Sequence, residues 1–184
     1  MNNRNCSRLV QPQTLPRGHQ AGFTLIEVLV SVLILSIGLV GVAGLQAVSL
    51  KNNQSAFMRS QASALAYDLA DRMRSNVLSA ETNLYDPGTA GPVAGCVAPT
   101  GCTPQELAQN DLDEWETALG AYLPMGEGFV CIDSTPDDGT DSGDPQCDGL
   151  GTQLSVKVWW DDDRDGLINM TATNTERLAI MIEL

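Results

Sequence analysis

Gly22-Phe23-Thr24-Leu25-Ile26-Glu27-Val28-Leu29-Val30-Ser31-Val32-Leu33-Ile34-Leu35 opens a stretch in which Glu27 is the only Asp, Glu, Lys or Arg between His19 and Lys51. The run from Val28 to Val48 carries no charge at all. About 20 apolar helical residues cross a bilayer core, so this segment is long enough to span one. Arg4, Arg8 and Arg17 precede it and no acid does, which places the N-terminus on the cytoplasmic side. A cleaved secretory signal has a shorter apolar core, with its small-residue cleavage site after that core. Here the core is longer, and Ala21-Gly22 followed by Phe23 stands before it. No proline interrupts the helix between Phe23 and Asn76. Gly38, Gly41 and Gly44 recur every third residue, each costing up to about 1 kcal/mol of helix propensity relative to alanine. They mark either a place where the helix unwinds or a close-packing face between membrane helices.

The rest of the chain excludes several functional classes. Its 184 residues suffice for one domain with appendages, and the net charge is -13. Beyond Gly22 stand seven of the ten Lys and Arg residues against all 23 Asp and Glu, a balance of -16. So acidic a body repels phosphate backbones, so no nucleic-acid partner is expected. The one histidine, His19, lies in the basic leader. Once the leader is removed there is no imidazole for a Ser-His or Cys-His pair or for a His-ligated metal. No G-x-x-x-x-G-K phosphate loop is present, so an energy-consuming step would belong to a partner. No catalytic residues are assigned, and the chain reads as a non-enzyme.

Gly22 to Glu27, with basic residues before and an apolar helix behind, resembles the class III signal of type IV prepilins and of type II secretion pseudopilins. That resemblance implies a membrane prepilin peptidase that cuts after Gly22 and N-methylates Phe23, leaving Glu27 as the fifth mature residue. The physics of Glu27 agrees with it. A carboxylate near the edge of a bilayer span costs a few kcal/mol unless it snorkels or finds a partner. Cleavage would create an ammonium at Phe23 on this chain and on each neighbour, able to neutralise Glu27 in a filament. The simpler alternative is an uncleaved anchor with Glu27 among the headgroups.

Past Lys51 the helical period continues as an amphipathic stripe of Met58, Ala62, Leu65, Leu69, Met73 and Val77. Arg72 and Arg74 suit the negative end of the helix dipole, and the helix is expected to stop near Asn76 to Ser79. Tyr85 to Gly101, rich in Gly, Pro, Ala and Thr, reads as a loop. Thr103-Pro104-Gln105-Glu106 is a capping-box pattern, followed by Leu107, Leu112, Trp115, Leu119 and Tyr122 at near-helical spacing, with a stop before Pro124. Strands are expected over Phe129 to Asp133, over Leu154 to Trp160, and over Arg177 to Leu184 with Leu178, Ile180, Ile182 and Leu184 on one side. The fold class is α+β: a long N-terminal helix, half transmembrane and half amphipathic, packed on a small antiparallel β-sheet head. The divisions are a leader at 1–22, a transmembrane or filament-core helix at 23–50 and a periplasmic head at 51–184.

Cys96, Cys102, Cys131 and Cys147 fall in that head, while Cys6 belongs to the leader. Four cysteines allow three pairings; the short loops favour Cys96 with Cys102 and Cys131 with Cys147. A four-cysteine zinc site is the rival, with poor spacing and an oxidising compartment against it. Asp161, Asp163, Asp165 and Gly166 match the opening of a calcium loop, but Ala172 stands at the twelfth position, where a bidentate Glu is expected. The alternative is a polar turn bent at Gly166. The loop from Asp133 to Asp148, with Asp137, Asp138, Asp141 and Asp144, is a second acidic cluster without fixed ligand spacing. No cofactor is expected; calcium is the one candidate ion.

Gly41-Val42-Ala43-Gly44-Leu45-Gln46 and Ala66-Tyr67-Asp68-Leu69-Ala70-Asp71-Arg72-Met73-Arg74-Ser75-Asn76 further resemble PilV-type minor pilins. The resemblance covers Gly22 to Asn76 well and Leu154 to Gly166 loosely. It implies a subunit of the type IV pilus that takes part in priming assembly and in a tip complex, with roles in adhesion and twitching motility. The implied partners are the prepilin peptidase, other minor pilins, the major pilin and a tip adhesin. The implied location is the inner membrane before assembly, with the head in the periplasm, and the surface pilus afterwards. The rival readings are a minor pseudopilin of type II secretion and a membrane-anchored periplasmic calcium-binding protein.

Overall fold

The computed structural model describes residues 22–85, 87–99, 101–168 and 177–182. Most of the leader, with Cys6 and His19, lies outside the described residues, as do Ala172 and Leu184. The chain divides into two units, Met1–Gln46 and Ala47–Leu184.

Helix α1 runs from Leu25 to Ser75, 51 residues without a break. Its start is set by Thr24, whose Oγ1 accepts from the Glu27 backbone N–H at 3.3 Å while its carbonyl accepts from Glu27 and Val28. Gly38, Gly41 and Gly44 sit inside continuous helix, and nothing lies within 4 Å of where a Cβ would stand at any of them. Among the described residues no packing calls for glycine there.

Asn76 ends α1. Its side-chain amide donates to the Pro104 carbonyl at 2.7 Å, and the chain turns into the five-residue helix α2, Val77–Glu81. This break corrects one end of the stripe. Val77 starts the new helix and is exposed, whereas Met58, Ala62, Ala66, Leu69, Ala70 and Met73 of α1 are buried and Leu65 packs at their edge. The segment read as a loop contains two short 3-10 turns, Pro87–Thr89 and Ala94–Val97.

Helix α3 spans Pro104–Tyr122. Both halves of its capping box form: Thr103 Oγ1 accepts from Glu106 N–H at 3.2 Å, and the Glu106 carboxylate accepts from Thr103 N–H at 2.8 Å. Leu112, Trp115 and Leu119 are buried, together with Ala108 and Asp111. Tyr122 was expected on this face but is 64% exposed, because the buried stripe passes to Leu123, just beyond the helix.

Three strands form one antiparallel sheet in the order β1 (Glu127–Ile132), β2 (Leu154–Trp159), β3 (Arg177–Ile182). Val130 lies opposite Val156 and Val156 opposite Ile180. β1 starts two residues earlier than its pattern suggests, at Glu127, where Gly126 and Gly128 approach α3 closely. β2 stops at Trp159, one residue short of the expected limit, although Trp160 stays buried. Alternation predicts one solvated face for β2. Instead all six residues are buried, and Lys157 bonds upward to Asp138 and Pro145 of the segment after β1. The core of the head joins the C-terminal half of α1, α3 and one face of this sheet, and Trp115 Nε1 donates to the Leu65 carbonyl at 3.0 Å.

Candidate functional site

Gly22, Phe23 and Thr24 precede the helix and are exposed, Phe23 by 83%. The Gly22–Phe23 bond therefore stands outside regular structure. Glu27 lies in the first turn of α1, where a carboxylate complements the positive end of the helix dipole. Among the described residues its carboxylate takes no hydrogen bond and no ion pair. From Leu25 to Leu50 every side chain is exposed, and α1 is long and apolar enough to cross a membrane. An apolar surface of this extent must be covered by lipid or by other chains.

In the head, Cys96 is bonded to Cys102 and Cys131 to Cys147, with Cα separations of 4.7 and 6.2 Å. The Asp161 loop brings one carboxylate oxygen from each of Asp161, Asp163 and Asp165 within 4.8 Å of the others. Backbone amides take these carboxylates. Asp161 accepts from Arg164 N–H at 2.7 Å and Gly166 N–H at 2.9 Å, Asp163 from Asp165 N–H, and Asp165 from Leu167 N–H. This is the bonding of a polar turn, with Gly166 at φ 87°. The acids of the second cluster are dispersed. Asp137 pairs with Arg177, Asp138 with Lys157, and Asp141 accepts from the backbone of Gly143 and Asp144.

Two families match adjoining parts of the chain, together residues 17–113. The prokaryotic N-terminal methylation motif covers residues 17–43, and type IV pilin Tt1218 covers residues 44–113. The chain is a type IV pilin-like protein. Its methylation motif takes in Gly22, Phe23 and Glu27, and the pilin match runs from the middle of α1 into α3. Pilin domains of this kind are structural, and the chain is a pilin subunit whose apolar helix and signal fit an inner-membrane anchor that later enters a pilus. No curated protein and no solved structure matches it.

Two buried polar centres of this pilin-like head lie outside the expectations drawn from the residue pattern. The first joins three segments. Arg72 Nη1 reaches Asp111 at 3.2 Å and Glu114 at 2.7 Å, while Asp111 also accepts from the Tyr85 hydroxyl at 2.9 Å. Burial and then the Asp111 carboxylate push the Tyr85 phenol above its usual range. A usable signal was present: Asp111 falls four residues before Trp115, on the buried stripe of α3. The second centre is Lys157, fully buried beneath the segment 133–148. Its ammonium meets Asp133 at 2.5 Å, Asp138 at 2.6 Å and the Pro145 carbonyl at 2.7 Å. Arg177 adds a contact from β3 to Asp137 and the Gly139 carbonyl, and Ser142 adds two bonds to Glu127 of β1. The disulfide Cys131–Cys147 closes this strap.

These contacts set the acid response. Burial works to raise Asp138, but its bonds to Lys157 and Thr135 prevail and hold it low. Glu114 is held low by Arg72 and Asn110, and Asp148 by Ser134 and backbone amides. Glu116 goes the other way, raised by burial and by Asp113. A carboxyl whose folded pKa is depressed contributes stability above its unfolded pKa and loses it as pH falls through the folded one. The head should therefore hold its thermal midpoint from pH 7 down to about 5, then lose stability steeply below about pH 4. A midpoint unchanged between pH 6 and pH 3 would contradict this account.

Proposed function

We propose that this pilin-like chain is a PilV-type minor pilin of the type IV pilus. The segment Phe23 to Leu50 holds the precursor in the inner membrane, with the head, residues 51–184, in the periplasm. The prepilin peptidase removes residues 1–22 and methylates Phe23. Assembly then exchanges lipid around the apolar half of α1 for the helices of neighbouring subunits. Glu27 sets the register by pairing with the Phe23 ammonium of the next subunit. With other minor pilins the subunit primes assembly and joins the tip complex, through which it serves adhesion and twitching. Calcium at Asp161, Asp163 and Asp165 forms no part of this reading.

The observation that carries the proposal is the apolar half of α1, uncovered and headed by a Glu27 without an ion pair among the described residues, beside the methylation motif. Burying an unpaired carboxylate among apolar helices is costly, so assembly should depend on the charge pair. Glu27→Ala should leave cleavage intact but remove the subunit from sheared surface pili. Intact mass and N-terminal fragmentation of wild-type protein from those pili should give a chain beginning at N-methyl-Phe23 and carrying two disulfides. A processed chain held in the envelope and absent from pili would assign it to a secretion pseudopilus. Recovery of a chain still beginning at Met1 would refute processing.

A further inference from the structure

We propose that the corner of the head formed by Lys51, Gln54, Phe57, Tyr122 and Arg164 rests on the phospholipid headgroup layer before assembly. This rests on the reading that the apolar run ending at Leu50 spans the bilayer. Along α1, Gln54 lies about 6 Å and Phe57 about 10 Å beyond Leu50, at 1.5 Å per residue. The headgroup region is roughly 5–8 Å deep on each side of the hydrocarbon core. Gln54 therefore falls within it, and the Phe57 Cα stands just above it, on a helix whose side chains lean back toward the N-terminus and hence toward the layer.

Arg164 is held at that same level. With the Gln54 amide oxygen turned toward it, its Nε and Nη2 donate at 3.0 and 2.8 Å. Phe57, Tyr122 and Arg164 line one groove with Gly120 to Pro124, and Asp161 N–H donates to the Pro124 carbonyl at 2.9 Å. Arg164 occupies φ 62°, which a non-glycine residue seldom adopts, fixed there by its N–H bond to Asp161. The turn that resembles a calcium loop thus presents an arginine.

Charge and chemistry favour lipid as the occupant. Arg72, Arg74, Lys157 and Arg177 are each held by carboxylates. Lys51 and Arg164 have no carboxylate partner among the described residues, and Lys51 and Gln54 are neighbours on one helix face. Phe57 and Tyr122 are 61% and 64% exposed, and aromatic rings of this kind favour the membrane interface. Asp161, Asp163 and Asp165 stand beside Arg164, so the corner is not a general cationic patch. Arg164 would address single headgroup phosphates while the acidic remainder of the head is kept off the membrane.

The test uses the full chain in vesicles of phosphatidylethanolamine and phosphatidylglycerol, in a Cys6→Ser background. A nitroxide is placed by Ala121→Cys in the groove, with Leu35→Cys and Leu150→Cys as references. Leu150 lies at the far end of β1, where Gly149 N–H meets the Ile132 carbonyl. Accessibility to oxygen and to a water-soluble nickel chelate should place 35 in hydrocarbon, 150 in water and 121 at headgroup depth. Arg164→Glu should return 121 to water. If 121 is as wet as 150 while 35 is dry, or becomes protected only inside filaments, the headgroup contact is wrong. A wet 35 would overturn the membrane span and this contact with it.

Discussion

Lys157→Ala is expected to destabilise the head by about 3–5 kcal/mol, the range for removing one partner of a buried ion pair. The lysine and Asp133 side chains are both fully buried, so the substitution leaves a carboxylate with neither water nor a counter-charge. The ammonium has three donors: it hydrogen-bonds the Asp138 carboxylate and carbonyl and the Pro145 carbonyl, and it lies against Asp133 as an ion pair. Arginine should not rescue it, because a planar fork cannot reproduce that pyramidal geometry. For a domain of this size the loss corresponds to a fall of about 10–15 °C in the thermal midpoint. Circular dichroism of the full chain in detergent at pH 7, with disulfides intact, reads it directly. The double variant Lys157→Met, Asp133→Leu should recover most of the loss, since it removes the two fully buried charges, refills the volume and leaves only the one-third exposed Asp138. A single variant melting within about 2 °C of wild type would show that the strap is not held from below.

Why this centre escapes a reading of the residues is instructive. Ser155, Lys157 and Trp159 alternate with Leu154, Val156 and Val158, as the solvated and buried faces of an edge-exposed strand do. What buries the second face is a segment that folds back from 133–148, and its carboxylates look like a solvated acidic loop. Nothing local distinguishes an acid that neutralises a buried lysine from one that faces water. The long helix, the Thr103 capping box and the three strands were legible because each is set by neighbours within a few residues: caps, periods of 3.6 or 2, and the Pro and Gly that end them. Errors fall where elements meet. Val77 follows a break made by Asn76 reaching Pro104, 28 residues away, and Tyr122 is displaced from the core by Leu123.

The site was legible to a different degree. Gly22, Phe23 and Glu27 form a linear motif, readable because all three lie within six consecutive residues. The Asp161 turn was ambiguous, since calcium loops and Asx turns share the same spacing of oxygens and glycine. The backbone bonds to Asp161, Asp163 and Asp165 build a polar turn whose bonding a calcium loop shares, and they hold Arg164 at positive φ, which residue spacing alone does not single out.

Gly128→Ala should destabilise the head by about 3 kcal/mol, at the upper end for overpacking a core. A Cβ at Gly128 would stand 2.2 Å from Cη2 of Trp115 and 2.7 Å from Cδ1 of Leu119. Overpacking is milder where a flexible side chain can swing aside, and the Trp115 ring cannot. Its Nε1 donates to the Leu65 carbonyl, so retreat from β1 would break the bond that ties α3 to α1. β1 cannot retreat either, because Gly128 pairs with Val158 in the buried central strand. The clash therefore has to be relieved by parting α3 from the sheet, which opens the core around Leu112 and Leu119. Trp115→Leu alone should also be destabilising, by loss of packing. Combined with Gly128→Ala it should cost less than the two single losses added together, because the smaller side chain vacates the space the methyl needs. Urea unfolding of the four proteins gives that coupling. Strict additivity would mean that the glycine is not there to admit the tryptophan.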